Sequence, residues 1–140
     1  MTMSASDSLT LRILGHVQRT ADTATLEIDP RYADALLGLE AYSHILVFYW
    51  FHQNDSPEGR ATLQVHPRGD SGNPLTGVFA THSPRRPNLI ALTRCRLLAV
   101  AGTRLTVADL DALDGSPVID IKGFIPGEPD PDQVRLPGWV

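Results

Sequence analysis

The sequence predicts a mainly β protein, a small closed or nearly closed barrel of about eight short strands with one short helix. Three observations carry this. Strand-forming runs dominate the chain, helical spacing occurs once, and the run Ser43–His52 is apolar on both faces in its middle. With 140 residues, 42% of them hydrophobic and 20% charged, one domain spanning 1–140 can bury a core of its own, which excludes a disordered chain.

The elements follow in order. Leu9–Val17 alternates loosely, with Leu9, Leu11 and Ile13 against Thr10 and Arg12, and reads as a strand. Thr23–Ile28 is a second. Asp29 then offers an N-cap, Pro30 suits the first helical position, and Gly38 can stop a helix over Arg31–Leu37. Ser43–His52 places His44, Leu46, Phe48, Trp50 and His52 on one face and Ser43, Ile45, Val47, Tyr49 and Phe51 on the other. One face fills a barrel interior. The other calls for a helix, a loop or a second subunit as cover.

Asn54–Arg60 reads as a polar turn, Ala61–His66 as a strand, Pro67–Thr76 as a loop and Val78–Thr81 as a short extended piece. In Ser83-Pro84-Arg85-Arg86-Pro87-Asn88 two prolines exclude both helix and central strand. Leu89–Val100 and Thr103–Leu110 form a hairpin about Ala101-Gly102. Asp114-Gly115 is a tight turn, Pro117–Lys122 the last strand, and the tail from Pro126 to Val140 is irregular.

The formal net charge of −4 argues against binding nucleic acid by bulk charge alone, yet the charge is uneven. Residues 71–108 hold no Asp or Glu and five arginines: Arg85, Arg86, Arg94, Arg96 and Arg104. Residues 109–132 hold seven acids (Asp109, Asp111, Asp114, Asp120, Glu128, Asp130 and Asp132) against Lys122. Either these are solvated faces that pair with each other, or the arginines line a site for an anionic ligand or RNA. A single cysteine, Cys95, excludes an internal disulfide, and the five histidines show no metal-ligand spacing, so no metal is expected. His44 and His52 share a strand face but lie roughly 26 Å apart at strand rise. The longest apolar run, Ile45–Phe51, is far short of the ~20 residues of a membrane span, and the N-terminal stretch has no apolar core of a signal peptide, so a cytoplasmic protein is expected.

Two segments can carry chemistry. The Pro-rich loop 81–88 offers Thr81, His82, Ser83, Arg85, Arg86 and Asn88 as donors at low entropic cost, which suits a carboxylate, hydroxyls or a phosphate; it also reads as an ordinary rigid connection. In Pro117–Lys122, alternation puts Val118, Asp120 and Lys122 on one face. Asp120 and Lys122 can then pair, either structurally or with the carboxylate ready to take a proton or bind an amine.

Three stretches, in this order, resemble one known family. Gly38-Leu39-Glu40-Ala41-Tyr42-Ser43-His44 followed by Trp50-Phe51-His52-Gln53 is similar to its GLE-aromatic-SH…FHQ strand. Gly77–Asn88, GVFATHSPRRPN, is similar to its GVFATRSPxRPN loop, and Asp111–Lys122, DALDGSPVIDIK, to its DxxDGTPVxDIKPY segment. The family is the TsaA-like one, typified by TrmO, the tRNA N6-threonylcarbamoyladenosine-37 methyltransferase; its members look like β-barrel proteins that bind S-adenosylmethionine (SAM), generally as homodimers with the cofactor near the subunit interface. The resemblance covers about residues 38–126 and implies SAM as cofactor.

Carried over by position, the implied cofactor residues are His52, Gln53, His82, Ser83, Arg86, Asn88 and Leu92, with Asp111, Leu113, Asp114 and Gly115 of the last turn. Leu92 and Leu113 would pack on the adenine faces and the turn's backbone would meet its edge. Asp120 and Lys122 are the implied catalytic pair, and Arg85, Arg94 and Arg96 would meet phosphates of a tRNA substrate. The chain departs from the pattern at His82, where the family has Arg, at Leu89-Ile90-Ala91 for Pro-Ile-Gly, at Gly123-Phe124 for Pro-Tyr, and in lacking a Pro-Arg-Gln segment near Gln18-Arg19-Thr20. Longer bacterial members continue into a C-terminal domain. Three functions remain open on this reading: methylation of tRNA, SAM-dependent methyl or aminocarboxypropyl transfer to a small molecule, and SAM binding without turnover.

Overall fold

Six antiparallel strands close on one another because their alternating apolar side chains can all be buried only inside a barrel. The computed structural model describes residues 1–127 and 129–140; Glu128, within the tail and among the acids counted above, lies outside the described residues. The strands are β1 (Gly15–Arg19), β2 (Ala24–Ile28), β3 (His44–Trp50), β4 (Gln64–Val65), β5 (Thr76–Gly77), β6 (Ile90–Ala101), β7 (Arg104–Ala108) and β8 (Pro117–Gly123). Around the barrel their order is β1-β2-β7-β6-β3-β8, while β4 and β5 pair apart from it. The mainly β expectation holds, with the eight strands divided six and two.

The interior is Val17, Leu26, Ile45, Val47, Leu105, Val107 and Val118, all fully buried, joined by Tyr49, Ala91 and Cys95. In β3 the register sets Ile45 opposite Cys95 and Val47 opposite Thr93, so one face of the strand fills the barrel. Its other face, with Leu46, Phe48 and Trp50, is only half covered. Burial pushes the Cys95 thiol up to about 12, so it stays neutral and packs as a small apolar group.

A 3-10 helix over Pro30–Leu36 follows β2, started by Asp29, whose carboxylate accepts from the Arg31 amide at 3.0 Å, and Leu36 is buried against the core. Gly38 ends it in the left-handed region at φ +86°.

Four expectations are corrected. Leu9, Leu11 and Ile13 are exposed and lie outside any strand; the ladder starts where Leu14 donates to Val118 at 2.8 Å, since no strand lies beside the earlier residues. The stretch 61–66 is reduced to β4 because a short helix, α1 (Pro57–Ala61), consumes its start and the preceding turn. Ser56 Oγ caps that helix by accepting from the Gly59 amide at 3.0 Å. Val78–Ala80 winds as a 3-10 turn, Thr81 donating to Val78 at 3.1 Å. Finally, β8 carries a bulge. Phe48 faces Asp120 while Tyr49 faces Val118, so one extra residue of β8 is absorbed at Ile119. Val118 therefore points inward and Asp120 and Lys122 outward, and the three do not share a face.

Ile45 sits in the interior with no exposure, whereas Leu37 is 93% exposed. Ile45→Ala should lower stability in urea by about 2–5 kcal/mol, and Leu37→Ala by under about 0.5 kcal/mol.

Candidate functional site

Where β1, β3 and β6 reach the end of the barrel away from the Pro30–Leu36 helix, the loop between β7 and β8 folds over the opening and is fastened from two sides. Arg19, the last residue of β1, donates through Nη1 to the carbonyls of Leu110 and Ala112 at 2.6 and 2.8 Å, and its amide donates to Asp114 Oδ1 at 2.9 Å. From inside the barrel, the Tyr49 hydroxyl donates to the Asp111 carbonyl. A carbonyl only accepts, so toward Thr93 Oγ1, 3.0 Å away, Tyr49 is the acceptor. Burial pushes the Tyr49 phenol up, which keeps its proton in place. Ser116, buried, closes the turn with Oγ donating to Leu113 at 2.7 Å.

The Pro-rich loop forms the facing wall. Arg86 folds back on its own backbone, Nη1 donating to the carbonyls of Thr81 and Ser83 at 3.1 and 3.2 Å. Thr81, buried, donates to Val78 and accepts from the Ser83 amide. With two prolines these bonds hold the loop rigid. Between loop and turn lies a cleft of about 770 Å³.

Seven of the cofactor residues that the resemblance implies line this cleft together, His52, Gln53, His82, Arg86, Leu92, Asp111 and Leu113, with Thr81 of the Pro-rich loop beside them. Leu92 and Leu113 are 56% and 55% exposed and present apolar surface to the cleft. Asp114 and Gly115 stand in the same turn without lining the cleft, Asp114 holding Arg19 and Gly115 supplying φ +81°.

The others lie elsewhere. Ser83 and Arg85 line a neighbouring cleft behind the loop. Asn88 Oδ1 accepts from Arg60 Nη2 at 3.2 Å and faces a third depression beside the N-terminal segment. Arg94 lies over the Phe124 ring at 5.1 Å, and Arg96 pairs with His44 in register, both exposed on the outer wall. Asp120 and Lys122, beside Phe48 and Leu46, are also on the outer wall. Phe48 is flanked by Asp120 on one side and Leu92 on the other, so two strand spacings, about 10 Å, separate Asp120 from the cleft rim. No ion pair joins Asp120 to Lys122 among the described residues; Asp120 Oδ1 accepts from the Ile121 amide at 2.9 Å.

The sequence reading missed Arg19, Tyr49 and Thr93. Tyr49 carried a signal, a hydroxyl on an otherwise apolar strand face. Arg19 carried none, because its partners are more than 90 positions away. Among the described residues no group of three or more His, Cys, Asp or Glu could hold a metal, and no helix is long and apolar enough to cross a membrane.

Tyr49→Phe removes one buried donor. It should cost about 1 kcal/mol of stability and speed amide hydrogen exchange across residues 111–116, leaving the β3 and β6 ladders protected.

Comparison with known proteins bears on the site. Residues 15–129 match the tRNA-methyltransferase O N-terminal domain family. A probable S-adenosyl-L-methionine-binding protein of Methanocaldococcus jannaschii is 41% identical over 114 residues, 81% of this chain and 90% of that protein. A putative S-adenosylmethionine-dependent methyltransferase, RcsF of Pseudomonas aeruginosa, is 41% identical over 108 residues, 76% of this chain and 44% of its own length. A crystal structure of TrmO superposes with a TM-score of 0.74 at 29% identity, covering 96% of this chain and 65% of that one. TrmO from Pseudomonas aeruginosa gives 0.69 at 27% identity, covering 92% of this chain and 62% of that one. This chain thus spans somewhat under two thirds of the TrmO crystal chains. Matched over most of its length and sharing their barrel, the chain belongs to the family of the tRNA-methyltransferase O N-terminal domain.

Proposed function

We propose that this protein is a SAM-dependent methyltransferase of the TrmO type, with SAM in the cleft between the Pro-rich loop and the 111–116 turn, and N6 of threonylcarbamoyladenosine-37 of tRNA as the acceptor. The observation that carries the reading is convergence. His52 and Gln53, His82 and Arg86, Leu92, and Asp111 and Leu113 come from four separate stretches and meet in one cleft. The donor set fits the cofactor: two exposed leucines for the faces of a flat heterocycle, peptide groups of the turn for its edge, and the His82 imidazole as a donor to a carboxylate. When bound, SAM supplies a methyl group on a sulfonium, whose carbon–sulfur bond breaks as the nitrogen–carbon bond forms.

The protein's part is positioning, which holds the nitrogen in line at about 3–3.5 Å from the methyl carbon. Asp120 receives the proton that N6 gives up. Its Oδ1 is engaged by the Ile121 amide, which leaves Oδ2 for that proton, and Lys122, on the same outer face but not paired with it, adds positive potential nearby. Because both stand on the outer wall, this role calls for a homodimer in which one copy's outer wall faces the other's cleft. The half-covered Leu46, Phe48 and Trp50, continued by the exposed Ile90, form an apolar surface suited to that contact. Arg85, Arg94 and Arg96 then meet RNA phosphates, and the reaction takes place in the cytoplasm. A second reading, a small-molecule acceptor at the same cleft, is favoured by the net charge of −4 and by His82 in place of the family's Arg.

Nucleoside mass spectrometry after incubating the protein, SAM and tRNA carrying threonylcarbamoyladenosine should show one added methyl on that nucleoside, and none on unmodified tRNA. Asp120→Asn should lower kcat by about 10²–10⁴-fold. SAM bound without methyl transfer would move the assignment to the small-molecule reading. Light scattering at low micromolar concentration should give twice 15.3 kDa; a 15.3 kDa species would exclude the dimer.

A further inference from the structure

A second cleft, of about 760 Å³, lies on the far side of the Pro-rich loop. It shares Thr81, His82 and Pro84 with the cofactor cleft, so the two are separated by the thickness of one loop. Its other walls are the loop at 65–69 and the tail, which brings in Trp139, half-buried in an otherwise exposed segment.

Two features set this cleft apart from an ordinary surface groove. The first is its charge. Among its described lining residues there is no Asp or Glu, while Arg68, Arg85, His66 and His82 all face it. Arg68 makes no ion pair among the described residues, and the Arg85 contact with Glu58 is 3.9 Å long with both side chains largely exposed, which leaves that guanidinium available.

The second is its backbone. Arg68 is held in the left-handed region at φ +61°, and Gly69 follows at +66°. The loop is braced around this strained residue. His66 Nδ1 lies 2.8 Å from the Asn73 carbonyl, Asn73 Nδ2 donates to Pro67 at 2.9 Å, and the amides of Gly69 and Asp70 donate back to His66 and Pro67 at 3.2 Å. Strain of this kind persists only where its surroundings over-determine it, and it concentrates at ligand clamps. The Asn73 carbonyl can only accept, so His66 Nδ1 is the donor in that contact.

We infer that this cleft binds a nucleotide, with its base against the Trp139 indole and its phosphate on Arg68 and Arg85. An indole face suits any flat base, guanidiniums suit a phosphate, and the lack of acids removes the repulsion a phosphate would otherwise meet. Calling this nucleotide the methyl acceptor rests on the methyltransferase reading; the binding site itself does not.

The test titrates AMP, adenosine and an anticodon stem-loop RNA into the SAM-free protein at low salt by calorimetry, alongside indole emission. A saturable response is expected, with AMP at least fivefold tighter than adenosine. Trp139→Ala should weaken AMP at least fivefold, as should Arg68→Asn combined with Arg85→Ala; Asn tolerates the left-handed backbone, and an unchanged thermal midpoint shows the fold intact. RNA binding at least tenfold tighter than AMP assigns the source as RNA, and equal affinity assigns a free nucleotide. Absence of saturable binding by any of the three, or affinities untouched in both variants, would overturn the site. SAM is titrated separately: wild-type protein that fails to bind SAM sinks the cofactor reading, and the nucleotide titration still decides this one.

Discussion

Closure of the barrel through β8 is the constraint on which the rest of the molecule depends. β8 runs along β3 for most of its length but meets β1 over only two pairs, Gly15 with Val118 and His16 with Pro117. On the opposite side of β1 the approach is tight: a Cβ on Gly15 would fall 2.1 Å from the Glu27 carbonyl oxygen, so only glycine lets β1 and β2 pack as they do. Past the seam, Val17 donates to Ser116 at 2.9 Å and accepts from Gly115 at 2.8 Å. Those bonds draw the β7–β8 loop across the barrel end, where Arg19 and Tyr49 can fasten it. Without the seam the barrel has two edges, the loop has no anchor, and the cleft loses one wall.

The same seam explains what the sequence disclosed and what it withheld. Strand content, the Asp29-Pro30 helix start, the Ala101-Gly102 hairpin and the Asp114-Gly115 turn were legible because each depends on residues close in the chain. Seven cleft residues were legible through family resemblance, which encodes distant contacts that spacing cannot. The bulge at Ile119 was not legible. It answers the geometry of closing β8 against two neighbours, and nothing in Val118-Ile119-Asp120 marks it. Its effect is large, since it turns the family's Asp and Lys away from the interior and onto the outer wall. The Leu9–Ile13 alternation misled for the opposite reason: a correct local pattern met no neighbouring strand.

Charge is used here in an unexpected way. The arginine-rich 71–108 and the acid-rich 109–132 segments make no ion pairs with each other among the described residues; the three pairs present involve Asp29, Glu27 and Glu58. Charged side chains instead hold backbone. Arg19, Arg60 and Arg86 donate to carbonyls, while Asp114 and Asp120 accept from amides. Bonds of this kind order loops without pairing one charged side chain with another. Charge-assisted bonds to backbone are also stronger than neutral ones, which suits loops that carry prolines and few ladder bonds.

The Pro-rich loop, stiffened by Arg86 and Thr81, has a cleft on either side and the same three residues in both walls. A thin rigid partition cannot yield to one occupant without presenting a changed face to the other. Whatever factor a guest on one side imposes on affinity at the other, the second guest imposes the identical factor in return, because the free energy of filling both clefts is indifferent to the order of arrival.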